Sequence, residues 1–348
     1  MKYVIDGSFL LEKTSGVIRY AYEIVNRLDR MAADLDLEIL VPEGKLIQPA
    51  DYKNIRMVRH GSSQGKKWLQ VDYARYVKEN HARPVCMTNL YPLMSKGGIA
   101  CIHDIAFKMH PELFTAKGDW HEILFRKLMY LRAFHKADQV VTVSETSKQE
   151  ILSHYHLKNP NVAVIGNAWQ HYDVTDTDET IFDQLNGVHK GDYYFFLSSL
   201  AVNKNLLWIL KNAEQHPEEQ YVLTGQPLGD ESLSEYRDLK NVTYTGYLED
   251  AQIRALLKHC KAFLFPSTYE GFGIPPMEAL CMGAKIVISR IDCLREVYGS
   301  SAYYIDPANP QIGIDELLKE EVSPAKDVLE RYSWDRSASE LFHIIQSL

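Results

Sequence analysis

The sequence predicts an α/β protein made of two doubly wound domains, and three observations carry this prediction. The chain has 348 residues, which suits two domains of about 100–200 residues each. Short apolar, β-rich runs alternate with longer helical patterns, as in parallel sheets covered on both faces. The alternation pauses over residues 169–190, which are polar and acidic, and then restarts. We therefore expect domains at residues 1–170 and 171–330, followed by a helix at residues 331–348.

The first half should contain a parallel sheet with two long helices. The helical pattern at residues 16–30 has an apolar face, and a second long pattern spans residues 120–135. Ser144 is expected to cap a further helix at residues 146–154. The predicted strands of this half lie at residues 3–5, 38–41, 99–102, 140–143 and 162–165.

The second half repeats the same alternation. Asp250 is expected to cap a helix at residues 251–259, and Gly283 to end a helix at residues 276–282. Ligands of such sheets bind beyond the carboxyl ends of the strands. We therefore expect the ligand of this chain in the cleft between the domains. The predicted strands lie at residues 193–197, 221–224, 242–244, 262–265, 286–289 and 303–305, and the other helices at residues 206–212 and 325–348.

Composition excludes several classes of protein. Hydrophobic residues make up 46% and charged residues 24%, which argues against a disordered or fibrous chain. The longest apolar runs are too short to span a bilayer, and Asp6 interrupts the apolar N-terminus, so we expect no signal peptide. The five cysteines are scattered without a C-x-x-C pair, which favours reduced thiols in a cytosolic protein.

The charge is unevenly distributed between the two halves. The net charge of −8 argues against a general nucleic-acid-binding protein. Residues 1–170 carry 23 basic and 18 acidic side chains, a net of +5, whereas residues 171–348 carry 15 and 28, a net of −13. One interpretation is chance surface composition. The other is that the first half faces an anionic partner, such as a phospholipid surface or a pyrophosphate-linked acceptor.

The most informative segment is residues 266–280, which reads PSTYEGFGIPPMEAL. A predicted strand ends just before it, a glycine-containing loop follows, and a helix begins with proline in its first turn. Gly271 and Gly273 allow close approach of a ligand to the backbone, and amides at the helix start suit an anion such as a diphosphate. Glu278 could accept hydrogen bonds from a ribose, and Glu270 could hold a sugar ring or stabilise a positive centre. The alternative interpretation is a capped helix with two solvated glutamates.

The segment EGFGIPPME at residues 270–278 resembles the E-x7-E motif of glycosyltransferase family 4, the retaining enzymes with the GT-B fold. The resemblance covers almost the whole chain, because further segments similar to family motifs follow in the same order. These are residues 15–20 (SGVIRY), 102–107 (IHDIAF) with Pro111 and Glu112, 137–145 (ADQVVTVSE), 198–205 (SSLAVNKN), 246–250 (GYLED), 294–299 (LREVYG) and 306–307 (DP). The resemblance implies two Rossmann-like doubly wound domains that face a central cleft, with the C-terminal helix crossing back to the first domain.

The resemblance also implies three catalytic residues. Lys204 would neutralise the diphosphate leaving group, since an ammonium stabilises the charge that develops there. Glu270 would hold the donor sugar, and His103 would hydrogen-bond it. Asp104 and Asn205 would support the site as neighbours of His103 and Lys204.

Nine further residues are implied to bind the donor. Glu278 would bind the ribose hydroxyls, and the backbone at Gly16 would approach the diphosphate or the acceptor. Tyr247 and Leu248 would flank the base. The other implied donor-binding residues are Gly271, Phe272, Gly273, Ile274 and Ser199.

Two departures from the family pattern concern the phosphates. Many members have an arginine shortly before the lysine, whereas this chain has serines at the matching region, around Ser199. The phosphate charge would then rest on Lys204 and backbone amides, or on another cation. Many members also have two glycines at the N-terminal loop, where this chain has Ser15 and Gly16.

Other signals have alternative interpretations. His103 could be a satisfied core histidine at a strand end. The basic helix around residues 120–136 could pack a core face and solvate its charges, or could touch a membrane surface, as could Lys66, Lys67 and Trp68.

The sequence predicts no metal site. Asp34 with Asp36, and Asp176 with Asp178, both spell D-x-D, but both pairs lie in acidic connecting stretches, so we interpret them as solvated loop acids. The histidines show no metal-ligand spacing.

The resemblance implies a retaining, metal-independent hexosyltransferase of the mannosyltransferase type, with no cofactor. Its donor would be a nucleotide-sugar, a GDP-sugar first and a UDP-sugar next. Its acceptor would be a glycan or a polyprenyl-pyrophosphate-linked lipid in bacterial surface polysaccharide synthesis. We expect a cytoplasmic protein, with contact at the inner leaflet of the membrane as a further expectation, and no nucleic acid partner. The alternatives are a nucleotide-sugar epimerase or phosphorylase, or a two-domain binding protein without chemistry.

Overall fold

The computed structural model divides the chain into two compact units. Unit 1 comprises residues 1–167 and 333–348, and unit 2 comprises residues 168–332. The boundary therefore lies after Asn167, close to the predicted position at residue 170. The structure describes residues 1–115, 120–157, 159–174, 176–197, 201–225 and 231–348.

Unit 1 contains a seven-stranded parallel sheet in the order β3-β2-β1-β4-β5-β6-β7. Its central strands are buried along their whole length, as expected for a parallel sheet with helices on both faces. Its strands are β1 (Tyr3–Asp6), β2 (Leu37–Val41), β3 (Arg56–Arg59), β4 (Arg83–Cys86), β5 (Ile99–Cys101), β6 (Gln139–Thr142) and β7 (Val162–Val164).

In the described residues of unit 1, seven α-helices lie before unit 2 in the chain. They are α1 (Gly16–Asp29), α2 (Gly65–Trp68), α3 (Ala74–Glu79), α4 (Ala106–Met109), α5 (Glu112–Thr115), α6 (Trp120–Lys136) and α7 (Glu145–His154), with a π-helical turn at Leu69–Tyr73 between α2 and α3. Ser144 caps α7 as predicted, because its hydroxyl accepts from the backbone N–H of Ser147 at 3.0 Å.

Two strands of unit 1 were not predicted from the sequence. Strand β3 is a polar edge strand whose two arginines are exposed, so it lacks an apolar run. Strand β4 contains Pro84 but pairs with both β1 and β5 in the middle of the sheet. Neither strand has the long β-branched run on which sequence-based prediction depends.

Unit 2 contains a six-stranded parallel sheet in the order β10-β9-β8-β11-β12-β13. All six strands predicted for this half are present. They are β8 (Tyr193–Phe196), β9 (Gln220–Leu223), β10 (Val242–Tyr244), β11 (Ala262–Phe265), β12 (Ile286–Ser289) and β13 (Tyr303–Ile305). Its helices are α8 (Ile181–Gln184), α9 (Leu206–Gln215), α10 (Asp250–His259), α11 (Ile274–Cys281), α12 (Asp292–Tyr298), α13 (Ile314–Leu317) and α14 (Lys326–Leu329).

The predicted cap of α10 was wrong by one residue. Asp250 is the first helical residue, and Glu249 is the cap. The backbone N–H of Glu249 donates to Oε1 of Gln252 at 3.1 Å, which is the reciprocal half of a capping box. A glutamate is an uncommon cap, and it succeeds here because Gln252 stands at the third helical position.

The single C-terminal helix predicted at residues 325–348 is in fact two helices. Helix α14 ends in unit 2, and α15 (Trp334–Ser347) begins after Ser333, whose hydroxyl caps it. Helix α15 belongs to unit 1 and packs on α1. Trp334 is fully buried, with its ring 6.2 Å from that of Tyr20.

Polar contacts also attach α15 to unit 1. The Ser337 hydroxyl donates to the carbonyl of Gly166 at 2.7 Å, and Asp335 lies 3.3 Å from Nε of Arg27.

Across the described residues, we find no helix with the length and apolar character needed to cross a membrane.

We expect Trp334→Ala to destabilise unit 1 by about 3–5 kcal/mol, since a fully buried indole leaves a large cavity. Urea unfolding followed by tryptophan fluorescence and circular dichroism measures this loss. Gln346→Ala, on the exposed side of the same helix, should leave the free energy of unfolding unchanged. Equal stability of Trp334→Ala and wild type would mean that α15 is dispensable for unit 1.

Candidate functional site

The loop between β11 and α11 holds the two glutamates singled out from the sequence. Gly273 ends this loop with φ +87°, a left-handed conformation that L side chains rarely adopt. A Cβ at this position would stand 2.6 Å from Cδ2 of Leu294, and the Tyr298 hydroxyl donates a hydrogen bond to the Gly273 carbonyl. Helix α12, which was not predicted, thus clamps the loop through Leu294 and Tyr298.

The start of α11 offers fewer amide donors than expected. The helix begins at Ile274, so Pro275 and Pro276 occupy its second and third positions. Proline has no N–H, and therefore two of the four amides that an ordinary helix start presents are missing. An anion at this end would depend on the N–H group of Ile274 and on those of the preceding loop.

The structure brings Lys204 and Glu270 together. Lys204 ends a 3₁₀ turn (Val202–Lys204) that follows β8, and Glu270 lies in the loop after β11. Nζ of Lys204 is 2.6 Å from Oε1 of Glu270, and both side chains are largely covered. Nζ also lies 5.1 Å from the centre of the Phe265 ring, which is a cation–π distance. The two predicted catalytic residues of unit 2 form one ion pair.

Two asparagines flanking Lys204 hold its turn against the glutamate loop. Asn203 Nδ2 donates to the carbonyl of Tyr269 at 3.1 Å, and the N–H of Thr268 donates to the carbonyl of Asn203 at 2.8 Å. Asn205, in the left-handed region at φ +56°, donates to the carbonyls of Pro266 and Pro307 at 3.1 and 2.9 Å. Asn205 thus holds the turn of Lys204 in place, and so does Asn203, for which the sequence predicted no role.

Glu278 has a partner that sequence reasoning missed. Its Oε1 lies 2.7 Å from Nε2 of His171, whose side chain is only 3% exposed, against 12% for Glu278. His171 lies in a 3₁₀ turn (Gln170–Tyr172) at the start of unit 2. A single histidine in a polar linker has no spacing that marks it, so no sequence signal could have identified it.

Of the predicted donor-loop residues, two can reach a ligand only through their backbone. The side chains of Phe272 and Ile274 are buried. The Phe272 ring packs edge-to-face on Tyr332, with the ring centres 5.2 Å apart. Gly271 lies between Glu270 and Phe272 and has no side chain.

The two residues predicted to flank a base differ in exposure. Gly246 pairs with Gly225 through two backbone hydrogen bonds of 2.8 Å, and both glycines have positive φ. Tyr247, directly after this bridge, is 85% exposed, whereas Leu248 is 7% exposed. Tyr247 alone presents its side chain to solvent. Ser199 lies outside the described residues.

In unit 1, His103 follows β5 and is buried. Burial lowers the pKa of His103 to about 4, so the ring is neutral at pH 7. Its Nε2 is 3.0 Å from the carbonyl of Met87, which only accepts, so Nε2 carries the proton. The ring also packs edge-to-face on Tyr20 at 4.6 Å between centres. Nδ1 is then the atom that could accept from a ligand hydroxyl.

The other predicted residues of unit 1 have local roles in the backbone. Asp104 Oδ1 accepts from the N–H of Ala106 at 2.9 Å, at the start of α4. Gly16 is the first residue of α1, and Ser15 caps this helix by accepting from Ile18 N–H at 3.4 Å.

Asp6, at the carboxyl end of β1, is a buried acid to which the sequence analysis gave no role. Its Oδ1 accepts from the N–H of Ser8 at 3.0 Å, and burial raises its pKa to about 6. At this edge of the sheet, burial thus favours the neutral form of both Asp6 and His103.

One of the two D-x-D pairs, Asp176 with Asp178, has local partners. Asp178 Oδ1 accepts from the N–H and hydroxyl of Thr180, and Asp176 Oδ2 lies 3.4 Å from Arg254. Among the residues that the structure describes, no three His, Cys, Asp or Glu side chains are grouped to hold a metal ion.

Helix α6 is covered on one side and exposed on the other. Met129, Tyr130, Ala133 and Phe134 are buried in the core of unit 1. Leu124, Leu128 and Leu131 are 48%, 46% and 41% exposed, and they follow one another at helical spacing. Trp68, for which contact with lipid was one of two interpretations, is fully buried and donates to the carbonyl of His60 at 2.7 Å.

Comparison with known proteins places these observations in context. Residues 177–330, most of unit 2, match the family described as "Glycosyl transferases group 1". The chain is 25% identical over 271 residues to the O-antigen chain mannosyltransferase RfbU of Salmonella typhimurium, covering 74% of this chain and 72% of that protein. It is 25% identical over 228 residues to the serotype-specific mannosyltransferase WbdA of Escherichia coli, covering 61% of this chain but only 28% of WbdA. These matches support a glycosyltransferase.

Solved structures share the fold over the full length. Sucrose-phosphate synthase from Thermosynechococcus elongatus superposes with a TM-score of 0.73 at 14% identity, covering 99% of this chain and 98% of that one. Anabaena Alr3699/HepE in complex with UDP and glucose superposes with a TM-score of 0.68 at 17% identity, covering all of both chains. The predicted α/β fold class, with two Rossmann-like units as in GT-B glycosyltransferases, is confirmed.

We expect the low pKa of His103 to make the free energy of unfolding depend on pH. Between pH 6.5 and 4 the unfolded chain takes up a proton at this residue before the folded chain does, so wild type loses stability as pH falls. His103→Gln lacks this titration. Between pH 7 and 4.5, its free energy of unfolding should fall by roughly 2–3 kcal/mol less than that of wild type.

Urea unfolding at both pH values measures this difference. His343→Gln, on the exposed face of α15, should keep the pH dependence of wild type. If the free energy of unfolding depended on pH in the same way for wild type and His103→Gln, His103 would not be held neutral.

Proposed function

We propose that this chain is a retaining hexosyltransferase that moves a mannose-type sugar from a nucleotide-sugar to a hydroxyl acceptor. The observation that carries the proposal is the Lys204–Glu270 ion pair, which places a covered cation and carboxylate beside a left-handed glycine loop. The mannosyltransferase names of RfbU and WbdA support the sugar.

Lys204 stabilises the leaving group in this proposal. When the bond between the sugar C1 and the diphosphate oxygen breaks, negative charge develops on the diphosphate, and an ammonium nearby lowers the energy of that state. Without a bound anion, Glu270 neutralises the lysine at 2.6 Å. A diphosphate would share the ammonium, and the carboxylate would then be available to the sugar.

The reaction proceeds on one face of the sugar. The acceptor oxygen forms the new bond to C1 on the side from which the diphosphate departs, and the acceptor proton passes to the leaving phosphate oxygen. This step retains the anomeric configuration and requires no protein nucleophile. Lys204 and the loop amides balance the negative charge of the leaving diphosphate, so we propose that no metal ion or other cofactor takes part.

The donor we propose is a GDP-sugar, with a UDP-sugar as the next choice. The mannosyltransferase relatives favour the first, and the structural neighbour Alr3699/HepE, which holds UDP, favours the second. Glu278 would bind the ribose hydroxyls, and the exposed Tyr247 ring would stack on the base.

The acceptor we propose is a glycan or a polyprenyl-pyrophosphate-linked saccharide in bacterial surface polysaccharide synthesis. The O-antigen role in the name of RfbU supports this class. The net charge of +5 in residues 1–170 suits a pyrophosphate or an anionic membrane. We place the enzyme in the cytoplasm, in peripheral contact with the inner leaflet.

We expect Lys204→Ala and Glu270→Gln each to lower kcat by roughly 10²–10³-fold, because each removes a charge that acts on the transition state. The measurement is transfer of radiolabelled mannose from GDP-mannose, and of glucose from UDP-glucose, to a polyprenyl-pyrophosphate-linked saccharide. Lys326→Ala, at an exposed lysine of α14, is the matched control and should keep full activity.

Nucleotide binding provides the outcome that would contradict the proposal. Calorimetry with GDP, UDP, dTDP and ADP should find at least one that binds wild type. If none binds, the chain is not a nucleotide-sugar transferase, and the two-domain binding protein becomes the better description.

The membrane contact has its own test. Leu124, Leu128 and Leu131 with nearby Lys127 form an exposed apolar strip with a cation on α6, which suits an anionic bilayer. Wild type should sediment with vesicles of phosphatidylglycerol and phosphatidylethanolamine at low salt, and Leu124→Ser/Leu128→Ser should not. Equal sedimentation of both proteins would show that α6 is not the contact.

A further inference from the structure

His171 forms a covered hydrogen bond with Glu278 that the proposed chemistry does not use. The bond joins Nε2 and Oε1 at 2.7 Å, across 107 residues of sequence. Glu278 stands on α11, directly after the donor loop, and His171 stands at the first turn of unit 2. Both side chains are largely buried, so water competes little for this bond.

The backbone around His171 is held in place by its neighbours. Trp169 Nε1 donates to the carbonyl of Leu329 at 2.8 Å, and Gln170 Nε2 donates to the carbonyl of Tyr332 at 3.0 Å. The N–H of Tyr172 closes the turn on the carbonyl of Trp169 at 2.7 Å. The segment that enters unit 2 is thus tied to the segment that leaves it, and His171 projects from a fixed turn.

The chemistry of the pair assigns the proton and leaves capacity on the carboxylate. An ionised glutamate only accepts hydrogen bonds, so Nε2 of His171 carries the hydrogen. The histidine occupies one lone pair of Oε1, and a carboxylate has about four acceptor sites. Oε2 remains in an orientation set by the histidine, and a vicinal diol is a ligand that two carboxylate oxygens can accept from.

We propose that His171 is a positioning residue for Glu278, and that it fixes this carboxylate for the 2′- and 3′-hydroxyls of the donor ribose. The inference rests on the proposed function, because it presupposes a nucleotide at this site. The histidine does not touch the ligand. It selects ribonucleotides over nucleotides without these hydroxyls by holding Glu278 in one rotamer before the ligand arrives.

A merely structural pair would behave differently. If the hydrogen bond served only to stabilise unit 2, its loss would weaken binding of every nucleotide equally or of none. If it positions Glu278, its loss affects only ligands whose ribose Glu278 can bind. The ratio of affinities for a ribonucleotide and its 2′,3′-dideoxy analogue therefore separates the two roles.

The experiment is calorimetry with GDP and 2′,3′-dideoxy-GDP, or the UDP pair if UDP is the nucleotide that binds wild type. His171→Leu should bind the ribonucleotide roughly tenfold more weakly, as expected for a lost hydrogen bond to a charged group. Its affinity for the dideoxy analogue should equal that of wild type. His171→Gln, whose amide nitrogen can replace Nε2, should restore the preference, and the shorter His171→Asn should not.

Coupling to Glu278 is measured in the same way. In a Glu278→Gln background, His171→Leu should change the affinity for the ribonucleotide less than twofold, because the positioned carboxylate is already gone. His189→Leu, at an exposed histidine of unit 2, is the control and should keep the affinities of wild type. Thermal unfolding of each variant shows whether it is folded, and if His171→Leu does not fold, the Gln and Asn variants carry the comparison.

Three outcomes would overturn the inference. Equal weakening of both nucleotides by His171→Leu would make the histidine structural, and unchanged binding of the ribonucleotide would make it irrelevant. In both cases wild type still binds nucleotides, and the proposed function stands. If wild type binds no nucleotide, the proposed function fails and the inference fails with it.

Discussion

The parallel pairing of β8 with β11 brings the loops after these two strands to the same edge of the sheet. Lys204 follows one strand and Glu270 follows the other, and this adjacency allows an ion pair between residues 66 positions apart in the chain. Asn203, Asn205 and the clamped Gly273 then fix the two loops in detail. Because strand direction decides which loops meet, the candidate chemistry of unit 2 depends on the parallel sheet more than on any single side chain.

Burial governs the electrostatics of unit 1. Asp6 ends the buried strand β1 and His103 follows β5, and in the described structure neither side chain forms an ion pair. The pKa of the acid rises and that of the histidine falls, since the low-polarity surroundings disfavour both charged forms. At pH 7 this edge of the sheet therefore offers a neutral imidazole at His103 beside a carboxyl group whose pKa is raised, whereas the corresponding edge of unit 2 offers an ammonium paired with a carboxylate. The two units supply different chemistry from the same type of sheet.

Much of the fold and part of the site could be predicted from the sequence, for identifiable reasons. Buried parallel strands are continuous apolar runs, so β8, β11 and β12 could be found from the sequence, whereas the polar edge strand β3 could not. Lys204 and Glu270 lie in loops that follow strands, and Glu278 lies in the helix after the second loop, so a sequence motif marks all three. The predicted start of helix α11 at Pro276 is wrong by two residues, because the helix begins at Ile274 and both prolines lie within its first turn.

By itself, the sequence determined the α/β class, the division into two units and the loops that carry the candidate residues. Periodicity and turn chemistry report local structure and burial, and these properties need no knowledge of distant neighbours. Only the tertiary structure decided which side chains meet. Three contacts join segments that are distant in the chain: Glu278 with His171, Tyr298 with Gly273, and Trp334 with Tyr20. Such contacts arise from how helices and strands pack, and no local pattern encodes them.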